Sequence, residues 1–153
     1  MTTYRPISER DIEILVAMMR DFYAIDGYPI DVEVSKVLFS QFISDEKLGR
    51  AWLIEQDGNV LGYIILTFIF SFEFAGKIAF VDELYIKQEA RGKGLGKSSI
   101  DFIKLEAEKL GLKLLYLEVE HHNSNAKKLY LGKGFSEHKR QLLIHKINNN
   151  NNQ

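Results

Sequence analysis

Val81-Asp82-Glu83-Leu84-Tyr85-Ile86, followed after a short polar link by Arg91-Gly92-Lys93-Gly94-Leu95-Gly96-Lys97, is the stretch on which the fold of this chain turns. The first run is β-rich and belongs to a strand expected over Lys77–Ile86. From Leu95 onward Ile100, Ile103, Ala107 and Leu110 recur at helical spacing until Gly111 stops the helix. The segment therefore reads strand, glycine loop, helix. Glycines at such a joint let backbone N–H groups turn toward one anion, and the helix dipole adds a favourable potential. Arg91, Lys93 and Lys97 contribute positive charge, so the joint suits a phosphate or pyrophosphate. The plainer alternative is a basic surface loop whose glycines serve only the turn.

Working outward, the residues before this joint predict a strand over Thr2–Ile7 and a helix opened by Ser8 and Asp11, with Leu15, Met18, Phe22 and Ile25 on one face. Gly27, Tyr28 and Pro29 end it, and Asp31 is expected to cap a second helix that carries Val34, Val37, Leu38 and Phe42 on its apolar face. Arg50–Gln56 and Val60–Phe74 are β-rich and joined by Asp57-Gly58-Asn59, a hairpin turn. Phe68, Phe70, Phe72 and Phe74 alternate, which places them on one sheet face and predicts core packing; Trp52 is also expected in the core. After the joint come a strand over Leu112–Glu120, a loop at His121–Ser124, a short helix over Asn125–Gly132 and a final strand over Phe135–Ile147. The order implies an α/β (α+β) protein. Its mixed sheet is antiparallel in the meander and parallel across the helical crossover. Residues 1–147 are expected to form a single domain, and the asparagine-rich tail 148–153 to be disordered.

Composition narrows the function. With 46% hydrophobic and 27% charged residues the chain reads as an ordinary globular protein. A net charge of −1 argues against a nucleic-acid partner. No cysteine is present, which removes disulfides, thiolate metal sites and a cysteine nucleophile. His121 and His122 are neighbours in a loop without companion ligands, so no metal is expected. The apolar stretch from Val60 to Phe74 is too polar to span a membrane, and a cytoplasmic location is expected.

Among phosphate ligands, a Walker A loop needs a glycine where Arg91 stands, and a dinucleotide fingerprint lacks its third glycine at Lys97 or Ser99. The pattern Arg91-x-x-Gly94-x-Gly96 after Val81–Ile86 instead resembles the acetyl-CoA motif of the GNAT superfamily of N-acetyltransferases. Asn123-x-x-Ala126-x-x-Leu129-Tyr130 with Gly134-Phe135 resembles the companion motif. The likeness covers about residues 50–147. It implies a GNAT-like mixed sheet, splayed between the Lys77–Ile86 and Leu112–Glu120 strands and flanked by helices. It also implies pantetheine against the backbone of Leu84, Tyr85 and Ile86, and pyrophosphate in the loop Arg91, Gly92, Lys93, Gly94, Leu95, Gly96 and Lys97. Asn123 and Lys127 are further candidates for CoA contact.

The implied reaction transfers an acetyl group from acetyl-CoA to a primary amine in a ternary complex. An alkylammonium is mostly protonated at neutral pH, so a base is needed, and the departing thiolate needs an acid. By the resemblance Tyr130 is the acid. Two carboxylates compete as base. Glu118 has a spacing to Asn123 and Tyr130 that resembles the ribosomal-protein alanine acetyltransferases, whereas Glu83, beside Asp82, lies at the splay of the other strand. Phe22–Ile43 and the end of the final strand are expected to line the acceptor site. A small-molecule amine, a protein N-terminus or lysine, and a non-catalytic acyl-CoA sensor stay open as readings, as does a homodimer.

Overall fold

The computed structural model describes residues 1–148. Its strands are β1 (Thr2–Pro6), β2 (Gly49–Gln56), β3 (Asn59–Ser71), β4 (Gly76–Ile86) and β5 (Leu115–Leu117). The helices are α1 (Ile12–Ile25), α2 (Val32–Ser44), α3 (Leu95–Lys109) and α4 (Ser124–Gly132). The five strands lie in the order β1-β2-β3-β4-β5. Every neighbouring pair is antiparallel except β4 and β5, which are parallel across α3. The β2–β3 turn is tight because Asp57 (φ 52°) and Gly58 (φ 79°) both adopt left-handed backbone, the geometry that matches strand twist in a two-residue hairpin.

Alternation along the strands feeds two cores. Leu53, Tyr63 and Ile65 face one side and pack with Leu15, Val16 and Met18 of α1 and Phe39 of α2. Trp52, Ile54, Ile64 and Leu66 face the other side and pack with Leu95, Ile100 and Ile103 of α3. Helices on both faces are what a partly parallel sheet requires. The parallel pairing is brief. It links Ala79, Phe80 and Val81 to Leu115, Tyr116 and Leu117, and beyond that point β4 continues alone to Ile86. The sheet is thus splayed, as expected. The strand expected over Leu112–Glu120 is cut to Leu115–Leu117, because after the split residues 118–120 have no neighbouring strand to pair with.

A bulge sits at the same place. Ile65 pairs with Glu83 but Leu66 pairs with Val81, so Asp82 is an extra residue on β4. Strict alternation would put Val81 and Glu83 on one face. The extra residue sends Val81 to the α3 core and leaves Glu83 facing α1.

Three expectations are corrected. No strand forms over Phe135–Ile147. Leu142, Leu143 and Ile144 are consecutive and therefore cannot share a sheet face, and all three are exposed. The segment is tied instead by side chains, Arg140 to Glu73 and His138 to Tyr116. Phe70 and Phe72 are 70% and 91% exposed rather than buried, because the β3–β4 hairpin runs on past Thr67, where pairing with β2 ends. On α2 Phe42 packs inward as expected, joined by Ser35 and Phe39, whereas the expected Val34, Val37 and Leu38 face solvent. Of the tail 148–153, residues 149–153 lie outside the described residues.

The strand that starts the chain is fixed by charge. Arg5 donates two hydrogen bonds of 3.0 Å to the buried Asp11 carboxylate and a third of 2.7 Å to Glu55 on β2. Burial alone would raise the Asp11 carboxyl, but Arg5 and the Ser8 N–H, 2.8 Å away, hold it below its ordinary value. Arg5→Met should destabilise the fold by about 2–3 kcal/mol, since it strands a buried carboxylate while the arginine itself is partly exposed. A depressed carboxyl contributes stability above its unfolded value near pH ~4, lost as pH falls through the lower folded one. Urea midpoints should therefore separate wild type from Arg5→Met at neutral pH and converge in acid.

Candidate active site

The glycine loop lies where the sequence places it, between the end of β4 and the start of α3. Gly92 (φ 78°) and Gly94 (φ 81°) both take left-handed backbone, and Gly94 is the residue that caps α3. A Cβ added at either position would meet no protein atom within 4 Å, so the space beside each glycine is open. Ile86, Ala90, Arg91, Gly92, Gly94, Leu95, Gly96 and Lys97 form one wall of a cleft of about 480 Å³, and Asn125, Ala126 and Leu129 of α4 form the other. Free N–H groups at a helix start, two cations and glycines without side chains fit the pyrophosphate of CoA. Arg91 also anchors the loop: its Nε donates to the Ile86 carbonyl at 2.8 Å, and its guanidinium lies 5.7 Å from the Tyr85 ring centre.

The other residues expected to contact CoA are placed differently. Lys93 is exposed and outside the cleft wall. Lys127 turns away and pairs with Glu137 on a second, larger groove between β5 and residues 134–140. Asn123 uses its side-chain oxygen to cap α4, accepting the Ala126 N–H at 3.1 Å. Leu84 and Tyr85 pack into the two cores, leaving their backbone on the split edge of β4. Among the described residues no cluster of three His, Cys, Asp or Glu could hold a metal, and no helix is long and apolar enough to cross a membrane.

The candidate acid and bases fare differently. Tyr130 projects from α4 beside Leu129, with its ring 5.9 Å from Phe135, and lines the larger groove. Burial pushes its phenol above the ordinary value, so it stays protonated at neutral pH. Glu118 is exposed just beyond β5. Glu83 is mostly buried at the split. The Tyr23 hydroxyl donates to its Oε2 at 2.6 Å and the Tyr63 hydroxyl to its Oε1 at 2.7 Å. Burial raises the Glu83 carboxyl, the two phenols pull it down, and Asp82 adds to the rise; the net direction is upward. Asp82 reaches solvent, yet the walls around it raise its carboxyl too.

Tyr23 and Tyr63 are partners that sequence reasoning missed. Tyr63 carries only an alternation signal, and Tyr23 sits beside the apolar stripe of α1. The end of α1 reaches both sides of the split: Tyr23 bonds Glu83 on β4, while Asp26 pairs with His122 at 2.9 Å and Tyr28 donates to Glu120 beyond β5. Tyr23, Asp26 and Tyr28 belong to the Phe22–Ile43 segment expected to line the acceptor site. The end of a final strand cannot contribute, since that strand does not form.

A split mixed sheet with a cationic glycine loop at its mouth is the architecture of an acetyl-CoA-dependent N-acetyltransferase. The Acetyltransferase (GNAT) family profile matches residues 14–135, and the chain belongs to that family. It is 24% identical over 128 residues to the D-amino-acid N-acetyltransferase HPA3 of Saccharomyces cerevisiae, covering 82% of this chain and 80% of that protein. An integron cassette protein from the mobile metagenome of Cole Harbour Salt Marsh superposes with a TM-score of 0.85 at 32% identity, over 95% of this chain and 91% of the other. A predicted acetyltransferase with acetyl-CoA from Clostridium acetobutylicum shares the fold, with a TM-score of 0.79 at 18% identity over 95% and 96% of the two chains.

Gly94→Leu and Gly58→Leu separate ligand approach from backbone strain. Both impose a side chain on left-handed backbone, at a cost of roughly 1–2 kcal/mol, but only Gly94 faces the cleft. Calorimetry should show acetyl-CoA affinity falling at least ~10-fold for Gly94→Leu and unchanged for Gly58→Leu. Equal effects would remove the loop from the binding site.

Proposed function

We propose that the enzyme transfers an acetyl group from acetyl-CoA to the primary amine of a small molecule by direct attack in a ternary complex. The observation that carries this reading is Glu83, a mostly buried carboxylate at the point where β4 leaves β5. CoA lies along the split, with its pyrophosphate at Gly92, Gly94 and Lys97 and its pantetheine along Leu84–Ile86. The acceptor approaches from the α1 side. Glu83 attracts the ammonium and takes one proton, directly or through water, which frees the nitrogen lone pair. Nitrogen attacks the acetyl carbonyl carbon, the tetrahedral intermediate collapses, and the C–S bond breaks. Tyr130 donates its proton to the thiolate and is reprotonated by the second proton lost by nitrogen, relayed through solvent, while Glu83 releases the first proton to solvent.

Two observations support Glu83 over Glu118 as the base. Its carboxyl is raised toward neutrality, as a base working near pH 7 requires, and its two oxygens are fixed in place. Glu118 is exposed and has no such fixed partners among the described hydrogen bonds. The crossing of the split by Tyr23, Asp26 and Tyr28 supports a small acceptor, because an extended peptide needs an open groove there. The name of the yeast relative adds D-amino acids to the candidate amines.

A thiol-release assay with polyamines, aminoglycosides, D- and L-amino acids and short peptides tests the reading. At least one small amine should be turned over well above the water background. Turnover confined to peptides would favour a protein acetyltransferase, and none at all a sensor. Glu83→Gln should lower the rate ~10²-fold or more at neutral pH, with partial recovery at high pH where free amine accumulates. Glu118→Gln should stay near wild type; the reverse outcome would transfer the base to Glu118. Tyr130→Phe keeps the ring, so acetyl-CoA affinity should hold while the chemical step slows ~10² to 10⁴-fold.

A further inference from the structure

We infer that Tyr23 is a positioning residue for Glu83, making α1 part of the proton-transfer machinery; this rests on the reading of Glu83 as the base. Tyr63 and Tyr23 come from different elements, β3 and α1, and each gives its hydroxyl to a different oxygen of one carboxylate. Tyr63 is fully buried, and a buried phenol must find an acceptor, which Glu83 supplies. Tyr23 is half-buried and could satisfy its hydroxyl with solvent, yet it turns inward to Glu83.

Phenols donate and an ionised carboxylate only accepts, so the pair fits the charged form of Glu83. Each bond also fixes the direction of a carboxylate lone pair, leaving the others for an ammonium or water. The charged and titratable groups around Glu83 are Tyr23 on α1, Tyr63 on β3 and Asp82 on β4, with Tyr85 acting on Tyr63. Asp82 and burial favour the neutral acid, and only the phenols oppose them. Of these, Tyr23 alone is carried by an element that also faces the acceptor. Displacement of α1 by an acceptor would thus change the basicity of Glu83.

The test uses full-length protein carrying ¹³C at the glutamate side-chain carboxyls, with the Glu83 signal assigned by its loss in Glu83→Gln. In Tyr23→Phe the Glu83 titration midpoint should rise by about one pH unit, the equivalent of one hydrogen bond to a charged group. Fluorotyrosine at position 23 keeps the ring and donates a stronger hydrogen bond, so it should lower the midpoint even if Tyr23→Phe folds poorly. A midpoint that moves in neither protein overturns the inference. These readings are taken without acceptor, so they stand apart from the assignment of the base, which fails separately if Glu83→Gln keeps wild-type turnover. Where Glu83→Gln does lose turnover, the acid limb of kcat/KM in Tyr23→Phe should follow the shifted midpoint. A limb that stays put would reduce Tyr23 to packing.

Discussion

β4 and β5 part after Val81 and Leu117, and the arrangement of the site follows from that parting. A strand in a continuous sheet spends its backbone groups on both neighbours. Past the split, β4 keeps β3 on one side and leaves its other edge, from Asp82 to Ile86, without a neighbouring strand. Such an edge offers backbone donors and acceptors to a ligand that can lie extended along it, the way an added strand would. The glycine loop stands where β4 ends, and the end of α1 crosses the split from the opposite face. The glycine loop and the carboxylate held by two phenols are thus set apart along the last residues of one strand.

The bulge at Asp82 gives the split its chemistry. By adding one residue to β4 it keeps Val81 in the α3 core and turns Glu83 to the α1 side, where the two phenols meet it. The arrangement has a thermodynamic cost. A glutamate whose folded carboxyl is raised disfavours the fold once it ionises, so its penalty grows as pH rises through the folded value and is complete above it. The rest of the domain offsets this through the two apolar layers that sandwich the sheet. Functional sites commonly hold such a deficit because a group tuned for proton transfer cannot also be optimally solvated.

Much of this was legible in the residues. The Asp57-Gly58 hairpin, the capping Asp31 and the α3 stripe through Ile100 and Ile103 are local signals, and each forms as read. The glycine loop was legible because φ > 0 and close approach select glycine. What failed depends on long-range partners. The C-terminal run reads as a strand, but a strand exists only where another backbone meets it, and β5 is too short to offer one. The alternating phenylalanines predict burial, but alternation carries no sign of where β2 stops pairing with β3. Tyr23 and Tyr63 are far apart in sequence and from Glu83, and only the bulge brings the three together.

Backbone amide hydrogen exchange, measured with and without saturating acetyl-CoA, tests the central claim most directly. If the ligand lies along the split edge, protection should appear at Leu84–Ile86 and at Gly92–Lys97, with little change along β1 and β2. Protection confined to the larger groove between β5 and residues 134–140, with β4 unaffected, would place the ligand outside the split and contradict the account.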